Sequence, residues 1–300
     1  MAHIGFIGLG NMGLPMAVSL LRAGHEVIGF DREKAPMRAL KEAGGRVAAT
    51  LQEVAVKQDV VITMLQTDEQ VQAVCLGEQG LFSTMSPGTL FIDCSTISVE
   101  TSRAVHTEAK LAKLFMVEAP VSGGVAGATD AHLTFIVGGS EQAFQKAEPI
   151  LASMGHTVLH MGEAGRGAAG KICNNMILGV SMIAVSEAFL LAEKLGLSAS
   201  KFFELVSQAS GKCWVVDTYL PVPGVLPDVP ANHDYKPGFT SAMMLKDLRL
   251  AEAAAQATGV HAELGASARA LYDEADEINH DLDFSSIIRF IQTRDKNKSQ

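Results

Sequence analysis

Apolar residues in the first half of the chain fall into short runs separated by segments of helical period. Ile4–Ile7, Glu26–Phe30, Val60–Met64, Thr89–Asp93, Phe115–Glu118, Thr134–Val137 and Thr157–His160 have strand length, and several are apolar throughout. Strands buried on both faces read this way. The first intervening helix, Met12–Ala23, is followed by Gly24, a residue suited to a C-terminal cap. Strand and helix alternate, which predicts a mostly parallel sheet covered on both faces. After Gly162 the pattern changes. Gly167–Lys194 reads as one long helix, apolar on several faces, as a helix buried between domains would be. From Ser198 the period is helical, with segments Thr240–Thr258 and Leu264–Ala275 and no convincing strand. Prolines at 221, 223, 227, 230 and 237 predict an ordered loop over Asp217–Pro237 near a cleft. The polar tail Thr293–Gln300 is expected to fray.

Composition narrows the function classes. A 300-residue chain that is 48% hydrophobic buries a large core without disulfides or metals. The formal charge of −9, with no Lys/Arg cluster, argues against nucleic acid as a partner. Cys75, Cys94, Cys173 and Cys213 form no Cys-x-x-Cys pair and match no zinc spacing, so reduced thiols in a cytoplasmic protein are expected. No His-x-x-x-His pattern occurs, and no metal site is expected. The longest apolar run, Ile177–Ala192, contains Glu187 and falls short of a membrane span. The first strand lacks a basic flank and leads into a loop at residue 8, so neither a leader nor a membrane partner is expected.

The loop Gly8-Leu9-Gly10-Asn11-Met12-Gly13 carries the first sign of chemistry. Gly8 permits the tight turn after the strand, Gly10 lets the backbone approach a pyrophosphate, and Gly13 lets the helix pack closely on the strand. The helix start then offers free N–H groups and the positive end of its dipole. Alone, such a loop is also compatible with a plain turn. Here it follows a strand, opens a helix and precedes a second strand that stops at Asp31, the context of a dinucleotide site. A carboxylate at Asp31 accepts adenosine ribose hydroxyls and repels a 2′-phosphate, favouring NAD. Arg32 keeps NADP as an alternative, and Asp31 could instead cap the following helix.

Five segments in register extend the reading: Phe6 to Ala17, Asp93-Cys94-Ser95-Thr96-Ile97, Glu118-Ala119-Pro120-Val121-Ser122-Gly123-Gly124, Gly170-Lys171-Ile172-Cys173-Asn174-Asn175 and Lys246-Asp247-Leu248. With them the chain, from residue 2 to about residue 292, resembles the β-hydroxyacid dehydrogenase family, nearest to its 3-hydroxyisobutyrate dehydrogenase branch. The resemblance implies an α/β Rossmann-like N-terminal domain over 1–163, a long joining helix over 164–194, and an all-α C-terminal domain over 195–300 for substrate binding and oligomerisation. It further implies NAD(P)-dependent oxidation of a short 3-hydroxy acid to its semialdehyde, in a homodimer or homotetramer.

Matching the motifs assigns roles. Lys171 corresponds to the family's general acid/base. An ammonium in an apolar helix is costly, and burial favours the neutral amine that could take the hydroxyl proton. A lysine snorkelling from the helix end is the bland alternative. Asn175, one turn on, and Asn174 could hold the substrate hydroxyl or orient the lysine, or else bond a neighbouring helix. Ser122, Gly123 and Gly124 correspond to the carboxylate site, where exposed N–H groups form a nest; a tight turn would look the same. Thr96 corresponds to a residue near the nicotinamide ribose. Met64 and Leu65 correspond to a stretch beside the cofactor. Lys246 matches a lysine that reaches the cofactor, and Asp247 an aspartate that shapes the substrate site, although a Lys–Asp pair is usually a solvated helix face. Trp214, Tyr219 and Phe239 are candidates for the pocket wall or ordinary core. The chain departs from the family at Ala131-His132-Leu133-Thr134 and at Lys212 before Cys213-Trp214, where a cation would favour a more anionic acid.

The expected substrate is therefore 3-hydroxyisobutyrate, with L-serine or glycerate/tartronate semialdehyde as alternatives. A non-catalytic nucleotide-binding scaffold is a reading of another class, disfavoured by Lys171, Asn175 and Ser122. A phosphogluconate dehydrogenase would be longer. A ketopantoate reductase or imine reductase fits the Ser-Gly-Gly and Lys-x-x-x-Asn segments less well.

Overall fold

The computed structural model describes residues 1–77 and 79–298. The chain divides into two compact units, with the boundary between Lys171 and Ile172. In the first, β1 (His3–Ile7) leads to α1 (Gly13–Arg22), β2 (Glu26–Phe30) to α2 (Lys34–Glu42), and the short β3 (Arg46–Val47) to α3 (Leu51–Ala55). β4 (Val60–Thr63) is followed by α4 (Asp68–Cys75) and α5 (Leu81–Thr84), and β5 (Leu90–Asp93) by α6 (Val99–Leu111). Then come β6 (Phe115–Glu118), β7 (Val121–Ser122), α7 (Gly124–Thr129), β8 (Leu133–Gly139), α8 (Glu141–Leu151) and β9 (Gly155–Gly162).

These strands form one sheet in the order β3-β2-β1-β4-β5-β6-β8-β7, with β9 paired to β8. Every pairing from β3 across to β6 is parallel. β8 runs antiparallel to β6 and β7 and parallel to β9. The sheet is therefore mostly parallel, as the alternation predicts, with one reversal at β8. Strand order switches direction between β1 and β4, which opens a crevice at their carboxyl ends. Ile4, Phe6, Val60, Ile62, Leu90 and Ile92 fill the core on one face. Ile7, Val61, Phe91 and Met116 fill the core on the other. Burial on both sides explains why these strands read as apolar runs.

α1 sits hard against β1 because Gly13 has no side chain: a Cβ there would lie 1.8 Å from the Gly8 carbonyl oxygen. Gly8 itself has φ +87°, and a Cβ on it would meet the Met64 carbonyl at 2.2 Å. The helix ends as expected, with Gly24 at φ +86° and its N–H on the Leu21 carbonyl.

The long helix α9 (Arg166–Lys194) runs from the first unit into the second. It is long and apolar enough to cross a membrane, contrary to the expectation that no segment is, and 44% of its apolar stretch is buried within the protein. Met182, Ile183, Val185 and Phe189 belong to the core of the second unit. That unit continues with α10 (Ala199–Val206), α11 (Trp214–Thr218), α12 (Ser241–Thr258), α13 (Glu263–Asn279) and α14 (Ile287–Lys298). Its only β pairing among the described residues is the isolated bridge Thr240–Asp283. The proline-rich segment is ordered by a 3₁₀ turn at Pro230–His233 and by Asn232, which bonds Gly224, Leu226 and Pro227.

Two further expectations need correction. Buried Ile287, Ile288 and Ile291 anchor α14 ahead of the tail, and the helix runs on through Lys298; residues 299 and 300 lie outside the described residues. The helix expected over Leu264–Ala275 starts at Glu263 and runs four residues further, to Asn279, which is buried with Tyr272 and Ala275.

Gly13→Ala must displace the Gly8 carbonyl or tilt α1. It is expected to destabilise the protein by about 1–3 kcal/mol in urea unfolding. An unchanged midpoint would contradict the tight contact.

Candidate active site

The carboxyl ends of β1, β2, β4 and β5 gather most of the residues expected around a dinucleotide. Gly8 N–H donates to Phe30 O at 3.0 Å, which holds the glycine loop against β2. Leu9 N–H donates to Asp31 Oδ2 at 2.7 Å, and Glu33 N–H to Asp31 Oδ1 at 2.8 Å. The carboxylate is thus fixed at the loop while each oxygen keeps accepting capacity. Arg32 beside it is exposed. Met64 N–H donates to Ile7 O, and Leu65 N–H to Ser95 Oγ, both at 2.9 Å, so these two residues abut the loop. Thr96 follows Ser95 and is half-buried.

This cradle suits a dinucleotide. No side chain caps the N-terminus of α1, and a Cβ on Gly10 would meet nothing within 4 Å. Open space over uncapped helix N–H groups is what a pyrophosphate requires.

Below the cradle, buried hydroxyls surround Asp93, which is in register with Thr63 and Glu118. Asp93 Oδ1 accepts from Thr63 Oγ1 at 2.8 Å, Ser95 Oγ at 2.6 Å and Ser95 N at 3.2 Å. Its other oxygen is buried without a hydrogen-bond partner. Burial pushes the Asp93 carboxyl above the ordinary carboxylate range; its hydroxyl bonds oppose this, and the nearby Glu118 charge adds to it.

Gly123 and Gly124 have φ of +131° and +63°, values that L side chains rarely adopt. They follow Ser122 at the end of β7, so successive N–H groups are presented beside its hydroxyl. Lys171 lies in the second turn of α9 and is only 8% exposed, which distinguishes it from a lysine snorkelling into water.

In the second unit Asn175, buried one turn beyond Lys171, donates from Nδ2 to Asp247 Oδ2 at 2.5 Å. The exposed Asn174 donates to Asn175 Oδ1 at 3.1 Å. Lys246 Nζ is 3.1 Å from Asp247 Oδ1. An ionised carboxylate only accepts, so Asp247 sets which end of the Asn175 amide faces it. The Lys246–Asp247 pair is therefore not a solvated helix face: Asp247 is buried. Trp214 stacks on Tyr219 and Tyr219 on Phe284, with Phe239 edge-on to Phe284. Trp214 remains half exposed. Lys212 pairs with Asp217 at 3.4 Å, which offsets the charge it would offer an anionic acid.

Residues 3–162 match the family described as the NAD binding domain of 6-phosphogluconate dehydrogenase. Residues 165–291 match the one described as NAD-binding of NADP-dependent 3-hydroxyisobutyrate dehydrogenase. A Mycobacterium tuberculosis protein named "Probable 3-hydroxyisobutyrate dehydrogenase" is 47% identical, over 98% of this chain and 99% of its own. The chain belongs to the 3-hydroxyisobutyrate dehydrogenase family. It is an oxidoreductase acting on CH–OH groups with a nicotinamide dinucleotide. Within the family, a Pseudomonas aeruginosa NAD-dependent L-serine dehydrogenase is 42% identical over 91% of each chain. A solved structure of the M. tuberculosis 3-hydroxyisobutyrate dehydrogenase with L-serine superposes with a TM-score of 0.91 at 47% identity, covering 97% of this chain and 99% of that one.

Several buried residues beside the candidate side chains have no role in the sequence analysis. Asp283, fully buried, accepts from Tyr219 Oη, Gly238 N, Phe239 N, Ser285 N and Ser285 Oγ, and so holds the aromatic group together. Nothing in the acidic stretch Asp281–Asp283 marks it. Asp93 and Ser95 had a signal, as polar residues closing an apolar strand, but no assigned role.

The raised Asp93 pKa has a definite sign. The folded protein keeps a proton that the unfolded chain releases, so this stabilisation is complete below the ordinary value of 3.8 and is lost as pH rises through the raised one. Asp93→Asn has no such titration. Its melting temperature minus that of the parent is expected to increase with pH from about 4 upward. A constant or decreasing difference would contradict the assignment.

Proposed function

We propose that this dehydrogenase oxidises a short 3-hydroxy acid, 3-hydroxyisobutyrate first, to its semialdehyde with NAD, as a step of valine breakdown. The observation that carries the reading is Lys171, buried in α9 one turn before an asparagine whose amide is fixed by Asp247. The bound dinucleotide supplies the hydride acceptor. Lys171 takes the hydroxyl proton during oxidation and returns it in the reverse direction. Asn175 holds the substrate hydroxyl with its unengaged amide valences. Ser122, Gly123 and Gly124 receive the carboxylate. Asn174, Trp214, Tyr219 and Phe239 bound the substrate, and Asp247 shapes that site through Asn175.

For the cofactor, the Gly8-Leu9-Gly10-Asn11-Met12-Gly13 loop takes the pyrophosphate and Asp31 the adenosine ribose. Thr96 would lie near the nicotinamide ribose, Met64 and Leu65 beside the cofactor, and Lys246 would reach to it. The fixed Asp31 carboxylate favours NAD; the exposed Arg32 makes NADP the second choice. A homodimer or homotetramer is the assembly that the family resemblance implies. The cytoplasmic assignment rests on the free cysteines.

L-Serine is the second substrate reading, favoured by the relative that carries its name and by the structure solved with it. A panel of 3-hydroxyisobutyrate, L-serine and glycerate, with NAD and NADP in parallel, separates them. The highest kcat/KM is expected for 3-hydroxyisobutyrate with NAD. Lys171→Ala is expected to lower kcat about 10²–10⁴-fold while NAD still binds. No reduction of either cofactor across the panel, or full turnover by Lys171→Ala, would overturn the proposal.

A further inference from the structure

The start of α9 is tied to the sheet by a side chain that the proposed function leaves without a role. Glu118, at the end of β6, is 1% exposed. Its Oε1 accepts the Gly167 N–H in the first turn of α9 at 3.1 Å. Its Oε2 is hydrogen-bonded to Nε2 of His106, on α6. A carboxylate taken out of water needs such donors, and the N–H of a helix start adds the positive end of its dipole.

The surrounding backbone is cut to fit this contact. A Cβ on Gly138, the register partner of Glu118 on β8, would lie 2.0 Å from Glu118 Oε1 and 2.7 Å from Gly167 N. A Cβ on Gly167 would lie 2.5 Å from the Ile136 carbonyl. Three elements therefore converge on one carboxylate, and glycine occupies both backbone positions where a side chain would force them apart. Gly167 is one helical turn before Lys171. The height and rotation of that turn set where the lysine stands, since a helix is stiff over a single turn.

We propose that Glu118, held by His106, is a positioning residue for Lys171: it fixes the first turn of α9 so that the amine stands at the reacting hydroxyl. This rests on the role given to Lys171 above. Glu118 touches neither substrate nor cofactor and transfers no proton.

The test uses the full-length enzyme with NAD and its best panel substrate. Glu118→Ala is expected to lower kcat about 10- to 100-fold, the scale of a misplaced catalytic group, with the Kd for NAD unchanged. Glu118→Gln keeps an acceptor for the Gly167 N–H and is expected to restore most of kcat. In a Lys171→Ala background, Glu118→Ala is expected to cause no further loss, since the group it positions is gone. His106→Asn, which leaves the Glu118–Gly167 bond in place, supplies the same reading if Glu118→Ala does not fold: kcat falls severalfold at unchanged NAD affinity. Wild-type kcat in folded Glu118→Ala or in His106→Asn would overturn the proposal, as would equal losses for Glu118→Ala and Glu118→Gln. A full Glu118→Ala loss added to a slow Lys171→Ala enzyme would overturn positioning alone. Normal turnover by Lys171→Ala would remove the role of Lys171 itself.

Discussion

The contact between Gly8 and Gly13 is the constraint on which the cofactor half of the structure depends. One methyl group on Gly13 would stand 1.8 Å from the Gly8 carbonyl, so the approach exists only because residue 13 is glycine. It brings the uncapped start of α1 to the carboxyl edge of β1, where the strand order reverses. The same turn places Leu9 N–H on Asp31 and Gly8 against the Met64 carbonyl. A pyrophosphate seat, a ribose acceptor and the β4 end are thereby gathered by packing, before any ligand contributes.

Away from that edge, each unit holds buried carboxylates that gather neighbouring groups. Asp93 ties the ends of β4 and β5 through Thr63 and Ser95. Asp247 fixes the Asn175 amide, and Asp283 gathers the backbone and aromatic side chains around Tyr219 and Phe239. Such groups are costly to bury and cost more if left half-satisfied, so they limit how far the side chains they hold can wander.

Much of this was legible from local sequence. Apolar runs marked β1, β2, β4, β5 and β6, and the glycine loop with Asp31 marked the cofactor edge. Two-residue strands such as β3 and β7 left no signal because they exist only through their neighbours in the sheet. Asp283 meets Tyr219 across 64 residues and Asn175 meets Asp247 across 72, and no periodicity encodes either pairing. The tail was read as frayed from its own polar residues, Thr293–Gln300; the buried isoleucines that anchor α14 lie before it, at 287, 288 and 291. Lys171 was singled out by its motif and expected to be partly buried, while the anchoring of its helix emerged only from the folded chain.

The most direct test is a structure of the enzyme with NAD and 3-hydroxyisobutyrate bound together. The account predicts the substrate hydroxyl within about 2.6–3.2 Å of Lys171 Nζ, with the carboxylate on Ser122, Gly123 and Gly124. A carboxylate paired instead with Lys171, or a hydroxyl held by other groups, would contradict it.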